Sequence, residues 1–292
     1  MRDVIIALLP ATAAGVIFFG IRALLTVLVC VGATVLSEFL FNLLCKKQQT
    51  VGDLSAIVTG LILALCLPAK AELWQCAIGA VFAIVCVKCL FGGIGCNFAN
   101  PAATARVFLL ITFSASIGGA TATLTESVDL VATATPLEII KLGSNAELPS
   151  LLDMFLGNRA GAIGETSALA LLIGGIYLIV RRVIKWHTPA IYIATVFLLS
   201  LAIQQDLTAA LYQVLGGGLI IAAFFMITDY STTPINNVGK MVFAFGCGLL
   251  TVLIRFWGAY PEGVSFAILI MNILSPYIEK LCAKKPFGKV GK

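Results

Sequence analysis

The sequence predicts an all-α polytopic membrane protein with about ten transmembrane helices. Of its 292 residues, 60% are hydrophobic and only 11% are charged, where soluble domains carry about 25% charged residues. The mean hydropathy is +1.05. The apolar runs are long and continuous rather than alternating, which excludes a β-barrel.

Ten runs read as spans: 4–19, 21–44, 54–67, 73–91, 102–119, 166–183, 189–204, 208–227, 240–256 and 262–280. The first has no basic segment ahead of it beyond Arg2 and no clear cleavage site, so it reads as a span and not a leader. The third is short for a bilayer that needs about 20 residues. It ends at Pro68, as a half-span or a broken helix would, and such breaks are tolerated only where protein or a cavity covers the freed backbone. The fifth follows Pro101, which suits a first helical turn. The sixth is opened by Gly164-Glu165-Thr166-Ser167-Ala168, and the seventh follows Trp186-His187, an interfacial anchor. Residues 1–292 form a single integral-membrane domain, with a first helical half (1–119), an extracytoplasmic loop (120–165) and a second helical half (166–292).

Charge sets the orientation through the excess of Lys and Arg on the cytoplasmic side. With ten spans and both termini cytoplasmic, only Arg22, Lys70, Lys141, Arg159 and Arg255 of the 19 basic residues fall outside, and the others, Lys88 and Arg106 among them, fall inside. Acids run the other way: Asp3, Asp53, Asp229 and Glu279 lie inside, nine lie outside, and Glu38 alone remains within a span. The net charge of +5 is therefore a topology signal and not a nucleic-acid footprint.

Gly52-Asp53-Leu54-Ser55-Ala56 is echoed by Gly164-Glu165-Thr166-Ser167-Ala168, one inside and one outside, as an inverted pair of five-helix halves requires. A second echo, Asn100-Pro101 with Arg106 against Thr233-Pro234 with Lys240, puts both members inside and does not fit. Most of the nine cysteines fall in spans, where Cys behaves as a small apolar residue. Cys86-Val-Lys-Cys89 has metal-like spacing without a second pair or a nearby His, and no metal site is expected.

Four stretches could carry chemistry. The inner loop Phe91–Pro101 holds Gly92, Gly93 and Gly95, which let backbone approach a flat ligand or another helix. Asn97 and Asn100 offer paired donors and acceptors; the plainer reading is a tight turn with Asn as a helix cap. The inner loop Thr228–Pro234 has the same character, and Asp229 either binds a ligand or caps the next helix. Together the two loops could form a polar pocket on one membrane face. Glu38 is an ion-pathway candidate, since an intramembrane carboxylate is costly, unless it snorkels to the nearby interface.

The fourth stretch is Asp129–Leu137, small and hydroxyl-rich in the longest polar interval. By composition it suits a plain loop, yet Ala132, Thr133 and Ala134 are small enough to enter a modifying enzyme, and Pro136 keeps Thr135 extended. Asp129 could help hold the metal for a phosphoryl transfer to Thr135. Asp129-x-x-Ala-Thr-Ala134-Thr135 resembles the flavinylation motif Asp-x-x-Ser/Thr-Gly-Ala-Thr, on whose last Thr a flavin transferase places FMN through a phosphoester. Ala132 and Thr133 depart from that motif, and Thr133 is the rival acceptor. Phe91–Phe108 resembles the Gly-Gly-x-Gly-x-Asn-x-x-Asn-Pro-to-Arg segment of the NqrB/RnfD family. Ile163–Ala168, Thr251–Val264 and Ala267–Asn272 look like the RnfD branch of that family, and the similarity covers essentially the whole chain.

The resemblance implies a membrane electron-carrier subunit of a ferredoxin:NAD+ oxidoreductase that moves Na+ or H+, a translocase complex in which this chain alone completes no catalysis. It implies covalent FMN on Thr135, with Asp129 and Ala134 in the attachment motif, and a second, non-covalent flavin, riboflavin, near the cytoplasmic face. Gly93, Asn97, Asn100 and Asp229 are the expected residues around the second flavin. The implied setting is the bacterial inner membrane and its lipid. The implied partners are the flavin transferase and the other Rnf subunits (A, B, C, E and G), above all the FMN-bearing G subunit outside. The competing reading is a solute or ion channel or transporter built from a duplicated helical unit, with Glu38 and the Gly/Asn loops lining its path. A third is a purely structural role in the complex.

Overall fold

The computed structural model describes residues 1–118, 120, 121, 132, 133, 135–142 and 148–283. The chain opens with α1 (Arg2–Phe19), α2 (Ile21–Leu44) and α3 (Ser55–Leu65). α4 (Leu73–Phe82) continues as a π-helical stretch over Ala83–Cys89, and α5 (Pro101–Thr112) is extended by the single turn α6 (Ser114–Ile117). Two short surface helices follow, α7 (Pro136–Leu142) and α8 (Leu151–Leu156). The second half holds α9 (Ala168–Val180), α10 (His187–Gln204) and α11 (Leu207–Leu215). α12 (Leu219–Ile221) runs into a second π-helical stretch, Ala222–Met226, and α13 (Asn237–Trp257) and α14 (Val264–Cys282) close the bundle.

Every apolar run read from the sequence is helical, but the runs differ in kind. α1, α2, α10, α13 and α14 are long and apolar enough to cross a membrane, and α11 with Leu219–Met226 makes a sixth crossing only as one span bent by 62°. Ser55–Leu65, Leu73–Cys89, Pro101–Thr112 and Ala168–Val180 are shorter. Of the about ten spans read from the sequence, some of them short, five are thus long enough to cross by themselves, or six with the bent pair counted as one. The all-α expectation also gains a small exception, an antiparallel pairing of Ala120–Thr121 (β1) with Ala132–Thr133 (β2), bridged from Thr121 to Gly161.

α3 explains why a short helix can stand in this bundle. Its 11 residues rise only about 16 Å, roughly half of a ~30 Å hydrocarbon core. It is buried on nearly every side, as an all-round apolar helix must be. Its last carbonyls are not orphaned: Gly164 N donates to Leu65 O at 2.7 Å and Ile163 N to Leu67 O at 3.0 Å. At its start, Ser55 N donates to Asp53 Oδ1 at 2.7 Å, and Leu54 turns the chain at a φ of 64°, rare for a bulky residue. The two Gly-acid-x-Ser-Ala motifs thus lie at opposite ends of α3.

Around α3, packing follows the rule for apolar surroundings, in which small residues let helices approach. α1 meets α9 at Gly174, where an added Cβ would sit 2.0 Å from Ala7 O. Large apolar side chains on the outer faces of the long helices, such as Ile17, Leu28, Leu198, Phe245 and Ile273, are exposed, as lipid-facing positions are.

Candidate functional site

Two cavities carry the chemistry-bearing residues, and α5 joins them. The first lies between the two polar loops, Phe91–Pro101 and Thr228–Pro234. Asn97 Nδ2 donates to Ser231 Oγ and to Ala99 O, both at 3.2 Å, so the two loops are one structure. The Asn272 amide of α14, oriented to suit its neighbours, accepts from Asn100 N at 2.9 Å and donates to Thr232 O at 3.2 Å. The cleft between them holds about 80 Å³ of free space, and Lys88, Asn97, Asn100, Phe224, Phe225 and Asp229 are among the residues lining it. An adjoining hollow of about 490 Å³ shares Asn97, Asp229 and Ser231. Both π-helical stretches wall the cleft, through Lys88 and through Phe224 and Phe225; π-bulges recur at functional sites.

The expected residues take different parts here. Asn100 is the cap of α5: its Oδ1 accepts from Ala102 N and Ala103 N, both at 3.1 Å, with Pro101 in the first turn. It also lines the cleft. Gly93 does not line either hollow; its φ of 98° serves the turn, where Gly93 N donates to Lys88 O at 3.0 Å. Gly95 lines the adjoining hollow. Asp229 does not cap the next helix, which begins eight residues later at Asn237. It organises its own loop instead, accepting from Ser231 Oγ at 3.1 Å and Thr232 Oγ1 at 3.2 Å. Burial pushes its carboxyl above the usual range, and the bonds from Ser231 and Thr232 hold it back.

Glu38 does not snorkel. It is 1% exposed, and its Oε1 accepts from Lys88 Nζ at 2.8 Å and from Thr50 Oγ1 at 2.5 Å. Lys88 also donates to Ser55 Oγ at the start of α3. The carboxylate is therefore half of a buried ion pair whose cation borders the cleft. Glu38 Oε2 has no partner among the described residues. Lys88, which charge counting places with the cytoplasmic helix ends, is 3% exposed.

The second cavity, about 330 Å³, is lined by Arg106, Leu110, Thr135, Glu138, Glu165 and Glu262, with Tyr260 and Pro261. Thr135 starts α7 in a reciprocal cap: Glu138 N donates to Thr135 Oγ1 at 3.0 Å and Thr135 N to Glu138 Oε2 at 2.9 Å. Thr-Pro-Leu-Glu is the capping-box pattern, the sequence signal that marks this helix start. Asp129 and Ala134 lie outside the described residues, and Thr133 is described only as the partner of Ala120 in the ladder.

Arg106, assigned to the inner side by charge counting, belongs to this second cavity. Its Nη2 lies 3.4 Å from Glu262 Oε2, and Glu262 counts with the outer charges. Arg106 is 7% exposed, as are few cations, and Glu165 is 5% exposed. Burial and the facing Glu262 carboxyl push the Glu165 carboxyl up, against the pull of Arg106 and Arg159. Nothing in the sequence marks Arg106, Glu165 and Glu262 as neighbours, because they come from three distant segments. α5 ties the cavities together: Asn100 borders the first, and Arg106 and Leu110 border the second. Six residues separate Asn100 from Arg106, about 9 Å along the axis.

The chain resembles known proteins along nearly its whole length. Residues 1–288 match the profile of the NQR2, RnfD, RnfE family. The chain is 46% identical over 291 residues to the D subunit of the Na(+)-translocating ferredoxin:NAD(+) oxidoreductase complex of Acetobacterium woodii, covering 99% of this chain and 90% of the relative. It is 39% identical over 300 residues to the D subunit of the proton-translocating ferredoxin:NAD(+) oxidoreductase complex of Clostridium ljungdahlii, covering 99% and 91%. It is 37% identical over 329 residues to the D subunit of the ion-translocating oxidoreductase complex of Stutzerimonas stutzeri, with the same coverage.

Proposed function

From the premise that the chain belongs to the NQR2, RnfD, RnfE family, we propose that it is the flavin-bearing electron carrier in the membrane part of an ion-translocating ferredoxin:NAD+ oxidoreductase complex. FMN is carried on Thr135 through a phosphoester, and a second, non-covalent flavin sits between the Phe91–Pro101 and Thr228–Pro234 loops. The observation that carries this reading is the sharing of α5 by the two cavities.

The residues present suit both groups. Thr135 presents a hydroxyl on the wall of a cavity whose size falls in the range of small-molecule sites. Attachment, with a flavin dinucleotide as donor, breaks the Thr135 O–H bond and the donor's P–O–P link, forms the Thr135 O–P bond and releases the nucleoside monophosphate with the proton. The ester oxygen keeps a lone pair for Glu138 N. The capping box fixes that oxygen at the start of α7, so the attachment point is held in place. Around the first cleft, amides from Asn97 and Asn100 and the aromatic faces of Phe224 and Phe225 match a flat heterocycle with an imide edge. Flavins supply one-electron transfer; the chain supplies position and electrostatics.

The orientation follows from charge: the Thr135 cavity faces outward, toward a flavin transferase and an FMN-bearing partner subunit, and the Asn97–Asp229 cleft faces the cytoplasm. An inward electron step then works with or against the membrane potential, at about 2.3 kcal/mol per charge per 100 mV, which is the coupling available to cation movement. The Glu38–Lys88 pair stands at the border of the inner cleft as the candidate group for that coupling.

The reading is tested on a denaturing gel under ultraviolet light, with the chain made beside its flavin transferase. A fluorescent band that disappears in Thr135→Ala is expected. A colourless wild-type band rules the carrier out and leaves the transporter reading. A band that survives Thr135→Ala and disappears in Thr133→Ala moves the attachment site.

A further inference from the structure

Three buried arginines gather near the Thr135 cavity, and two are committed to the backbone. Arg159 donates to Glu165 O at 2.6 Å and to Leu215 O at 2.8 Å. Arg255 donates to Gln213 O at 2.5 Å and to Gly216 O at 3.2 Å. Both satisfy carbonyls at the end of α11, and neither lines the Thr135 cavity, although Arg255 Nε also has no partner among the described residues. Arg106 differs. Its one ion-pair contact, to Glu262, is 3.4 Å long, where guanidinium–carboxylate hydrogen bonds run to about 2.7–2.9 Å. Its Nη1 is buried and has no partner among the described residues, and the side chain lines the cavity that Thr135 also lines.

A buried guanidinium donor without an acceptor is costly, and a planar fork matches a phosphate, as it does a carboxylate, through two parallel hydrogen bonds. We propose that Arg106 is the positioning residue for a phosphodiester tethered to Thr135, its guanidinium exchanging the long contact with Glu262 for the phosphate oxygens. The proposal rests on flavin attachment at Thr135. The tether carries one negative charge, because esterification removes one of the two ionisable oxygens of the FMN phosphate. Arg106 balances that charge. Glu262, once released, faces Glu165, whose carboxyl is held toward its neutral form, so the exchange leaves no pair of bare carboxylates. Glu138, the other acid on the wall, is already bonded to Thr135 N.

The test is phosphorus NMR on the full-length, flavinylated chain in detergent, with the denatured chain as the reference for a free diester. The native wild-type resonance is expected to be displaced from the denatured value. In Arg106→Gln that displacement is lost while the fluorescent band on the gel persists. In Arg106→Lys, which keeps the charge without the fork, it is reduced, and this variant carries the test if Arg106→Gln does not accumulate. Glu262→Gln keeps the displacement. A native resonance that is the same in wild type and both Arg106 variants overturns the proposal. Absence of any covalent flavin in the wild type made with its transferase instead overturns attachment at Thr135, so the two failures are told apart.

Discussion

Replacing Lys88 by Met should destabilise the chain by about 3–5 kcal/mol, the cost of leaving a buried charge without its partner. At the observed 2.8 Å and an effective dielectric constant of about 20, the pair attracts by about 6 kcal/mol, while desolvation of each ion costs several kcal/mol. The intact pair is therefore close to neutral in its net effect. Lys88→Met removes the attraction and keeps the desolvation of a carboxylate that is 1% exposed and retains only Thr50 Oγ1. The double variant Glu38→Gln/Lys88→Met removes both charges and should recover most of the loss. The assay is thermal unfolding in detergent, read by size-exclusion chromatography after heating, with a drop on the order of 10 °C for Lys88→Met. Equal stability of Lys88→Met and wild type would refute the buried pair. A double variant less stable than Lys88→Met would refute the reasoning about its balance.

Thr135→Ala should cost about 1 kcal/mol through loss of the α7 cap, and Thr135→Ser should cost little; unfolding midpoints in chemical denaturant compare the two. Gly174→Val should disrupt the crossing of α1 and α9, where even a methyl group meets Ala7 O at 2.0 Å; overpacking of this kind costs about 1–3 kcal/mol, read as a lower midpoint. The raised Glu165 carboxyl favours its protonated form, so its contribution to stability is complete below the ordinary Glu range near 4.3 and is lost as the pH rises through the raised value. Glu165→Gln should flatten that fall, and an unchanged pH profile of thermal stability would contradict it.

Much of the fold is legible in the sequence because hydropathy is a local property. The ten apolar runs, the break at Pro68 and the Asn-Pro start of α5 all follow from short windows of sequence. What is not legible depends on distant residues. The short length of α3 reads as an interrupted span, but the Gly164 and Ile163 amides that cover its end come from about a hundred residues away. Glu38 is visible as an intramembrane acid, whereas its partner Lys88 looks like an ordinary charge at a helix end. Charge counting puts Arg106 and Glu262 on opposite sides, because each charge is counted with its nearest loop, and only the packing of α5 shows that the two meet. The joining of the two polar loops is anticipated by their like chemistry and is borne out by the Asn97–Ser231 bond. The Thr135 cap is written in the sequence as Thr-Pro-Leu-Glu, but the resemblance to an attachment motif overlies it.

The reciprocal cap bears on the central proposal, because it holds one of the two candidate hydroxyls in place. Thr135 Oγ1 is fixed by Glu138 N at the edge of a cavity, while Thr133 belongs to the ladder with Ala120. The measurement that decides between them is fragment mass spectrometry of the peptide spanning 120–142, from the chain made beside its flavin transferase. One added FMN less one water, localised to Thr135, is the expected result. An unmodified peptide, or the same added mass localised to Thr133, would contradict the assignment.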